Sequence, residues 1–528
     1  MNKWRLIDTG ILSAAENISW DQAFLSAQAS SGGSPILRFL QFYPPCILIG
    51  RHQSPHQEAR ISFIKLNNFH LNRRITGGGA IFFDPSQLGW EVIATRKEKW
   101  AKISFEKFYK LISAGFIEGL RQLGVDAKYR PRNDIEVDGR KISGTGGSSE
   151  EHAFLFQGTL LIRNCAEDML RSLRVPAEKL GRHGLESLKE RVVFLEELLS
   201  PLPDIEYIKK AIIKGFEKIF DVKVEADAPN KLEKDIFNKL LPYYSSNKWI
   251  YKINRPENKK GTIIGISRNK GVLRSAIRVD SNKKRISSVQ FWGDFFIEPQ
   301  RAIYDLEALL KHRTTNREKI RKIILNYLNG SNVKLIGLKY NNFIESIESA
   351  ILKIPLIKQG FSFDEINRLF FININPDDWI NFPFSHFLFP YCSKLVGCKY
   401  RHRHTCPMCG LCSVGEGYSI AKEVGLEPFT ITSFEALVRA HRRLRKKGSM
   451  GYIGSCCEEF YIKHFRTFKN SGLKIILVKV DSTTCYDLSQ SKAAYRGDFE
   501  SQTELDINLI RKVLRVWKNN KKSEEHNG

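Results

Sequence analysis

Residues 73–84 read Arg73-Arg-Ile-Thr-Gly-Gly-Gly-Ala-Ile-Phe-Phe-Asp84, and this stretch decides how the first part of the chain is interpreted. Three consecutive glycines follow an arginine pair and precede an apolar run. Glycine tolerates positive φ and lets another group approach the backbone, so bare N–H groups can face phosphate or carboxylate oxygens. The arginines add forked donors for an anion. Taken alone, the stretch is equally consistent with a flexible hairpin loop.

A second informative segment runs from Asn133 to Gly146. Residues 135–137 are predicted to form a strand, and Asp138-Gly139 is a strong hairpin signal. The return strand then presents Lys141 beside small residues, where a lysine can place a compact positive charge in a tight site. Taken alone, Lys141 is better explained as a solvated hairpin lysine.

In this order, these segments resemble the lipoate–protein ligase branch of the biotin/lipoate ligase superfamily. The resemblance is carried by Trp4–Gly10 with Glu16, Asn17 and Asp21, Ile49–Gln53 with Glu58, Arg73–Asp84, Asn133–Gly144, Leu173–Pro176 and Leu188–Val192. It implies an α+β fold, with a class II-synthetase-like catalytic domain in residues 1–228. Gly293–Pro299 and Leu306-Glu307 resemble the family's accessory domain, which implies a second, small α+β domain in residues 229–350.

The resemblance also implies a reaction. Lipoate or octanoate is joined to a lysine of a carrier domain through a lipoyl-adenylate made from Mg²⁺-bound ATP. It implies that Lys141 is catalytic. The residues implied to bind nucleotide and acyl chain are Arg74, Gly77, Gly78, Gly79, Ala80, Ile81, Phe82, Asn133, Asp134 and Lys141. Phe82, Phe83 and Trp90 are candidates for an acyl pocket, with core packing as the simpler explanation. Phe83 departs from the family pattern, in which many members have histidine there.

Two other functions are weighed against the ligase. Octanoyltransferases share the fold but carry the acyl group on a cysteine. No cysteine lies between Cys46 and Cys165, and Cys165 follows Lys141 too closely to match that pattern, so we interpret it as a buried thiol. The other alternative is a metal-binding regulatory protein that contains a ligase-like domain.

The C-terminal part of the chain is rich in cysteine. Eight of the ten cysteines lie between Cys392 and Cys485. The spacing predicts a zinc or iron–sulfur centre with the ligands Cys392, Cys398, Cys406, Cys409 and Cys412. Lys394–Arg401 and Gly454–Glu458 resemble a cysteine-rich domain of unknown function that follows some prokaryotic lipoate ligases. We predict a cysteine-rich α/β domain in residues 386–520, after a poorly packed connector in residues 351–385.

Charge and hydropathy limit the partners and the location. The net charge is +26, which favours acidic partners. Lipoyl domains of 2-oxoacid dehydrogenases and proteins like the H protein of glycine cleavage are the acceptors that the resemblance implies. Nucleic acid is not favoured, because no known nucleic-acid-binding motif is present. The absence of a membrane-length apolar run or a secretory signal predicts a cytoplasmic protein.

Periodicity predicts individual elements along the chain. Predicted strands are 37–42, 46–50, 90–94, 271–279, 285–291, 450–454 and 473–480, and predicted helices are 103–123, 185–199, 301–311, 317–328, 433–446 and 458–468.

Overall fold

The structure is a computed structural model. It describes residues 2–103, 105–131, 133–173, 191–253, 261–267, 272–280, 284–331, 333–481, 484–485, 494, 496, 499 and 501–525. Across these residues, no helix is both long enough and apolar enough to cross a membrane.

An eight-stranded sheet forms the centre of the N-terminal part. The strands of this part are β1 (Asn2–Leu12), β2 (Ile36–Phe42), β3 (Cys46–Ile49), β4 (His70–Arg73), β5 (Ile81–Phe83), β6 (Leu88–Thr95), β7 (Lys128–Arg130), β8 (Asp134–Val137), β9 (Arg140–Glu150), β10 (Ala153–Leu160) and β11 (Val222–Ala226). The large sheet has the order β11-β1-β2-β6-β10-β9-β8-β7. Only the pairs of β1 with β11 and β2 are parallel, and the rest are antiparallel.

Helices cover this sheet. They are α1 (Ala14–Ser31), α2 (Pro55–Glu58), α3 (Ile61–Leu66), α4 (Phe105–Gln122), α5 (Ala166–Ser172), α6 (Leu195–Leu198), α7 (Ile205–Phe220), α8 (Lys231–Tyr244) and α9 (Asn247–Ile250). Helix α1 begins with a capping box in which Ser13 accepts from the Glu16 N–H and Glu16 accepts from the Ser13 N–H. Helices α4 and α7 pack over one face of the sheet around Trp90, which stacks on Phe116.

A second, three-stranded sheet holds the glycine loop. It has the order β4-β3-β5, with β4 parallel and β5 antiparallel to β3. The triple glycine lies in the connection from β4 to β5. Both ends of the loop are therefore anchored on the same central strand.

The middle part of the chain is a small α+β unit. Its elements are β12 (Thr262–Ser267), β13 (Leu273–Asp280), β14 (Arg285–Gly293), β15 (Phe296–Glu298), α10 (Ala302–Leu310), α11 (Arg317–Gly330), β16 (Lys334–Ile336) and α12 (Tyr340–Ile351). Strands β12, β13 and β14 form an antiparallel sheet, and β15 pairs with β16. Gly293, the last residue of β14, must be small, because a Cβ there would overlap the Val272 carbonyl oxygen.

The C-terminal part contains a five-stranded sheet with helices. Its elements are α13 (Ile354–Lys358), α14 (Phe363–Asn367), β17 (Leu369–Ile372), β18 (His386–Pro390), α15 (Ser413–Glu423), β19 (Glu427–Ile431), α16 (Phe434–Lys446), β20 (Gly451–Cys456), α17 (Glu458–Asn470), β21 (Lys474–Lys479) and α18 (Ile507–Glu525). The strand order is β17-β21-β20-β18-β19. Strands β18 to β21 are mutually parallel, and β17 is an antiparallel edge.

The prediction of a poorly packed connector in residues 351–385 is wrong. This segment supplies the edge strand β17, and Trp379 is completely buried. One hydrophobic core runs without a break from Ile263 to Trp517 through this segment. The sequence pattern did not reveal how deeply this segment is buried, because its hydrophobic residues lie in short runs and pack against residues that are distant in sequence.

Most predicted elements are present within a few residues, including the parallel β20–α17–β21 unit. The predicted helix 185–199 is the exception. Residues 185–190 of this predicted helix lie outside the described residues. Residues 174–176 and 188–190 of the family motifs and Gly271 of the predicted strand 271–279 also lie outside them. From Arg191 to Phe194 the chain is not helical, because the Lys141 N–H donates to Arg191 and the Val193 N–H donates to Lys141. Pairing with β9 overrides the local helical pattern there.

Candidate active site

The arginine pair braces the glycine loop. Arg73 is buried and donates to the carbonyl oxygens of Gly50, Arg51 and Gln53 at 2.7–3.0 Å. Arg74 donates to the Gly77 carbonyl at 3.0 Å and to the Gly79 carbonyl at 2.8 Å. Burial lowers the pKa of Arg73 to about 9 and that of Arg74 to about 10. In this conformation, both guanidinium groups donate hydrogen bonds to backbone carbonyl oxygens rather than to an external anion.

The loop needs glycine because other backbone approaches it closely. A Cβ on Gly50 would overlap the Gly78 carbonyl oxygen, and a Cβ on Gly77 would overlap the Phe295 carbonyl oxygen. Gly78 has φ +90°, and a Cβ there would lie 2.7 Å from the Phe296 ring. Close approach explains Gly50 and Gly77, and Gly78 adds the left-handed backbone that glycine adopts most readily.

A segment of the middle unit covers the glycine loop. We call residues 294–296 the clasp. The Gly78 N–H donates to the Phe295 carbonyl at 3.2 Å, and the Phe295 ring stacks on His52 at 4.9 Å. The Phe296 ring lies between Gly78 and Gly146, against both. The clasp therefore occupies space next to the N–H groups that are predicted to receive the nucleotide.

Lys141 lies on β9 and forms an ion pair with Asp134 of β8, with Nζ and Oδ1 2.6 Å apart. Its side chain crosses Gly144, where an added Cβ would be 2.6 Å from Nζ. Asn133 donates to the Thr145 carbonyl at 2.8 Å and ties the hairpin together. The structure thus brings Asn133, Asp134 and Lys141 to one place. The same strand continues to Gly146, beside the clasp and the glycine loop.

The apolar candidates are core residues. Phe82 and Phe83 are 3% exposed, and Trp90 is completely buried. Ala80 and Phe82 belong to a cluster with Val192 and Phe194, and Val192 bridges to Lys141. Ile81 packs in the neighbouring cluster around Phe83. Ala80 and Phe82 therefore share a hydrophobic cluster with a residue that pairs with Lys141.

Cys165 is a buried thiol. It lies in the same hydrophobic cluster as Phe82, and Gln87 donates to its Sγ at 3.3 Å. Burial raises its pKa to about 12. A thiol that stays protonated at neutral pH is a poor nucleophile. This geometry supports the interpretation of Cys165 as a structural residue.

A buried ionic network was missed at the level of sequence. Arg38 is completely buried and pairs with Asp21 at 2.7 Å and with Glu91 at 2.9 Å. It also donates to Asn17 at 2.8 Å. Burial raises the pKa of Glu91 to about 8. Arg38 and Glu91 lie on adjacent strands that read as apolar runs, and only the pairing of β2 with β6 shows that they meet.

The C-terminal cysteines lie in two groups. Among the described residues, no three His, Cys, Asp or Glu side chains are placed to hold one metal ion. The zinc or iron–sulfur centre with the ligands Cys392, Cys398, Cys406, Cys409 and Cys412 therefore stays a prediction. Cys392 lines a cavity with Cys456, Cys457 and Cys485. The other four predicted ligands, which we call the loop cysteines, are Cys398, Cys406, Cys409 and Cys412.

A buried lysine organises the loop that carries these cysteines. Lys394 is completely buried and donates to the carbonyl oxygens of Tyr400, Arg403 and Thr405 at 2.7–2.9 Å. Burial lowers its pKa to about 8, and the nearby thiols of Cys406, Cys398 and Cys412 oppose that shift. Three carbonyl oxygens of this loop therefore bind the same lysine Nζ.

Comparison with known proteins agrees with this geometry. Residues 13–217 match the family model of the lipoyl protein ligase A/B catalytic domain. These residues belong to that family. The LplA/B domain of this chain has relatives of two kinds. An octanoyltransferase LipM of Geobacillus kaustophilus is 28% identical over 274 residues, which is 47% of this chain and 98% of that protein. The lipoate–protein ligase LplJ of Bacillus subtilis is 28% identical over 311 residues, 57% of this chain and 87% of that protein.

A solved structure has the same fold. P. falciparum LipL1 in complex with lipoate aligns with a TM-score of 0.51 at 19% identity, over 62% of this chain and 98% of that chain. The predicted α+β lipoate-ligase fold is confirmed. The LplA/B domain is an enzyme domain of the ligase and octanoyltransferase family, in which two chemistries occur.

Proposed function

We propose that this chain is an ATP-dependent lipoate–protein ligase. The carrying observation is that Lys141, paired with Asp134, lies on the strand that reaches the clasp at Gly146, while Cys165 is buried and its pKa is raised. A lysine ammonium on this strand would serve adenylation, and burial disfavours Cys165, the one cysteine that follows Lys141 within residues 13–217, as an acyl carrier. The alignment with the ligase LplJ is also longer than the alignment with the octanoyltransferase of G. kaustophilus.

In the first half-reaction, a lipoate carboxylate oxygen attacks the α-phosphorus of Mg·ATP, and pyrophosphate leaves. The ion pair of Lys141 with Asp134 is about one-third exposed on both sides, so it contributes at most about 1 kcal/mol. The ammonium can therefore exchange the carboxylate for an α-phosphate oxygen at little cost. A fixed positive charge there stabilises the negative charge that develops on phosphorus-bound oxygen. The N–H groups of the glycine loop add donors from the other side.

In the second half-reaction, the amine of an acceptor lysine attacks the acyl carbon of the lipoyl-adenylate, and AMP leaves. The Lys141 ammonium stabilises the oxygen of the tetrahedral intermediate and the departing phosphate. The acceptors proposed are lipoyl domains of 2-oxoacid dehydrogenases and H-like proteins of glycine cleavage. The net charge of +26 favours encounter with acidic acceptors of this kind.

The second candidate function is octanoyl transfer, and the LipM relative favours it. That reaction moves the acyl group from a carrier thioester to a protein thiol and then to the acceptor, without ATP. It needs a reactive cysteine near Lys141. Cys165 could take that role only if the surrounding core opened.

The test is acid-dependent pyrophosphate release by the full-length protein with Mg·ATP and lipoate or octanoate. We expect Lys141→Ala to lower the rate at least about a hundredfold, the scale of one lost electrostatic stabiliser. Lys128→Ala is the matched control, because Lys128 lies on β7 of the same sheet and is 75% exposed. The control should keep the wild-type rate.

Lipoylation of an added acceptor domain, measured by mass, completes the test. Acyl transfer from an octanoyl-carrier thioester that needs Cys165 and no ATP would replace the ligase proposal by the transferase. Pyrophosphate release that Lys141→Ala leaves intact would refute the role of this lysine.

A further inference from the structure

The C-terminal sheet has a cavity at the carboxyl ends of its parallel strands. Pro390 ends β18, Ile431 ends β19 and Cys456 ends β20, and all three line this cavity. Val480 follows β21 and lines it as well. In open parallel sheets, the crevice outside the carboxyl ends of the strands is where ligands bind. The position alone marks this cavity as a candidate site.

Four thiols lie in the wall of the cavity. We call them the cavity cysteines, and they are Cys392, Cys456, Cys457 and Cys485. They come from three strand ends: Cys392 follows β18, the pair Cys456 and Cys457 lies where β20 ends and α17 begins, and Cys485 follows β21. Most of the remaining wall is apolar, including Leu388, Leu437 and Phe460. Convergence of four thiols from three strand ends on one apolar cavity indicates a thiophilic ligand.

Polar atoms in the wall support a ligand that accepts hydrogen bonds. Ser455 is 7% exposed and lines the cavity, and its buried Oγ has no hydrogen-bond partner. A buried hydroxyl without a partner is costly and calls for an explanation. The Thr503 Oγ1 donates to the Cys392 Sγ at 3.3 Å. Hydroxyl donors of this kind can bond to cluster sulfurs and to thiolates.

The charge around the cavity favours an anionic ligand. Ser433 and Cys457 are the N-caps of α16 and α17, each 13 residues long, and both line the cavity. Helix N-termini carry partial positive charge. Glu458 begins α17 but is neutralised by Lys479 at 3.1 Å and Arg274 at 3.3 Å. The two helix N-termini therefore offset part of the negative charge of four thiolates, while Glu459 also lies near Cys456 and Cys457.

We propose that this cavity holds an iron–sulfur centre ligated by the cavity cysteines. A single zinc ion draws four sulfurs to about 2.3 Å from one point. The cavity cysteines instead line an open space together with apolar side chains. A cluster of iron and sulfide fills such a space and takes four thiolates at its corners. The ligand set differs from the one expected from spacing, because it excludes the loop cysteines.

The test measures metal in the full-length protein, purified under nitrogen from an iron-supplemented culture. Iron, acid-labile sulfide and zinc are counted per chain. We expect about two to four iron atoms with equal sulfide, the content of four-thiolate clusters. Cys392→Ser combined with Cys457→Ser should remove this amount. Cys406→Ser combined with Cys409→Ser is the matched control and should leave it in place.

A second measurement uses the wild-type chain, so it does not depend on whether the variants fold. Cys392 and Cys457 are partly exposed, and alkylation followed by peptide mass measurement reports on both. They should be protected in the iron-loaded protein and alkylated after the iron is removed. Zinc alone, no bound metal, or full iron content in the cavity variant would each overturn the proposal. The readout is metal content, so it is independent of the ligase reaction.

Discussion

At the scale of single residues, the glycine loop combines two separate demands. Gly78 must adopt φ +90° and must leave room for the Phe296 ring. Gly124 has φ +85° and nothing within 4 Å of an added Cβ. These two positions therefore separate backbone strain from steric conflict with the clasp.

We expect Gly124→Ala to cost about 1–2 kcal/mol in stability and to leave adenylation unchanged, because only the backbone is strained. Gly78→Ala should carry the same strain and also place a methyl group in the space beside the loop N–H groups that a bound nucleotide would need, with at least a tenfold loss in the pyrophosphate-release rate. Denaturant unfolding and steady-state kinetics of both variants check this. Equal activity of the two variants would contradict the role assigned to the close approach at Gly78.

At the scale of elements, the clasp joins the middle unit to the LplA/B domain. The Gly78 N–H donates to the Phe295 carbonyl of the clasp, and two residues after the clasp Glu298 forms a salt bridge with Arg96 at 2.8 Å. The Phe296 ring packs against Gly78 and Gly146, so a nucleotide that reaches the glycine loop must compete with it. Free energy spent on moving the ring is lost from nucleotide affinity.

Phe296→Ala should therefore tighten ATP binding several-fold, measured as a lower Kd by calorimetry. Leu309→Ala is the control, because Leu309 is 37% exposed on α10 of the same unit and does not belong to the clasp. It should leave the Kd unchanged. Weaker ATP binding in Phe296→Ala would mean that the ring supports the nucleotide site instead of competing for it.

At the scale of the whole molecule, the middle and C-terminal parts share one hydrophobic core, from Ile263 to Trp517. The LplA/B domain has its own core around Trp4 and Trp90. Trp379 lies in the shared core, is completely buried, and donates to Gln359 at 2.9 Å. A destabilising substitution at Trp379 should therefore also destabilise the middle unit, on the other side of the domain boundary that the sequence suggested near residue 350.

We expect Trp379→Ala to cost about 3–5 kcal/mol. Hydrogen exchange should rise in β12–β14 as well as in β17–β21, because both sheets are packed on the same core. Trp4→Ala is the reciprocal control, and its effect should be confined to the LplA/B domain. Increased exchange restricted to the C-terminal sheet in Trp379→Ala would show that the two parts unfold separately.

Local sequence determined much of this protein. The triple glycine, the Asp138-Gly139 hairpin and the helix that ends at Gln122, shortly before Gly124, depend on φ preferences and on periodicity over a few residues, so they were predictable. The family motifs placed Lys141 in its hairpin and identified the LplA/B domain. The proximity of Asn133, Asp134 and Lys141 also followed, because a tight hairpin fixes it.

Only the tertiary structure decided the rest. Which cysteines converge depends on the order of parallel strands, and so Cys392 joins Cys456 and Cys485 rather than its neighbours in sequence. The clasp on the glycine loop, the pairing of Arg38 with Glu91 and the core through Trp379 likewise join residues far apart in the chain. The physical reason is the same in each case: burial and packing select partners by position in the fold, and no local pattern records that position.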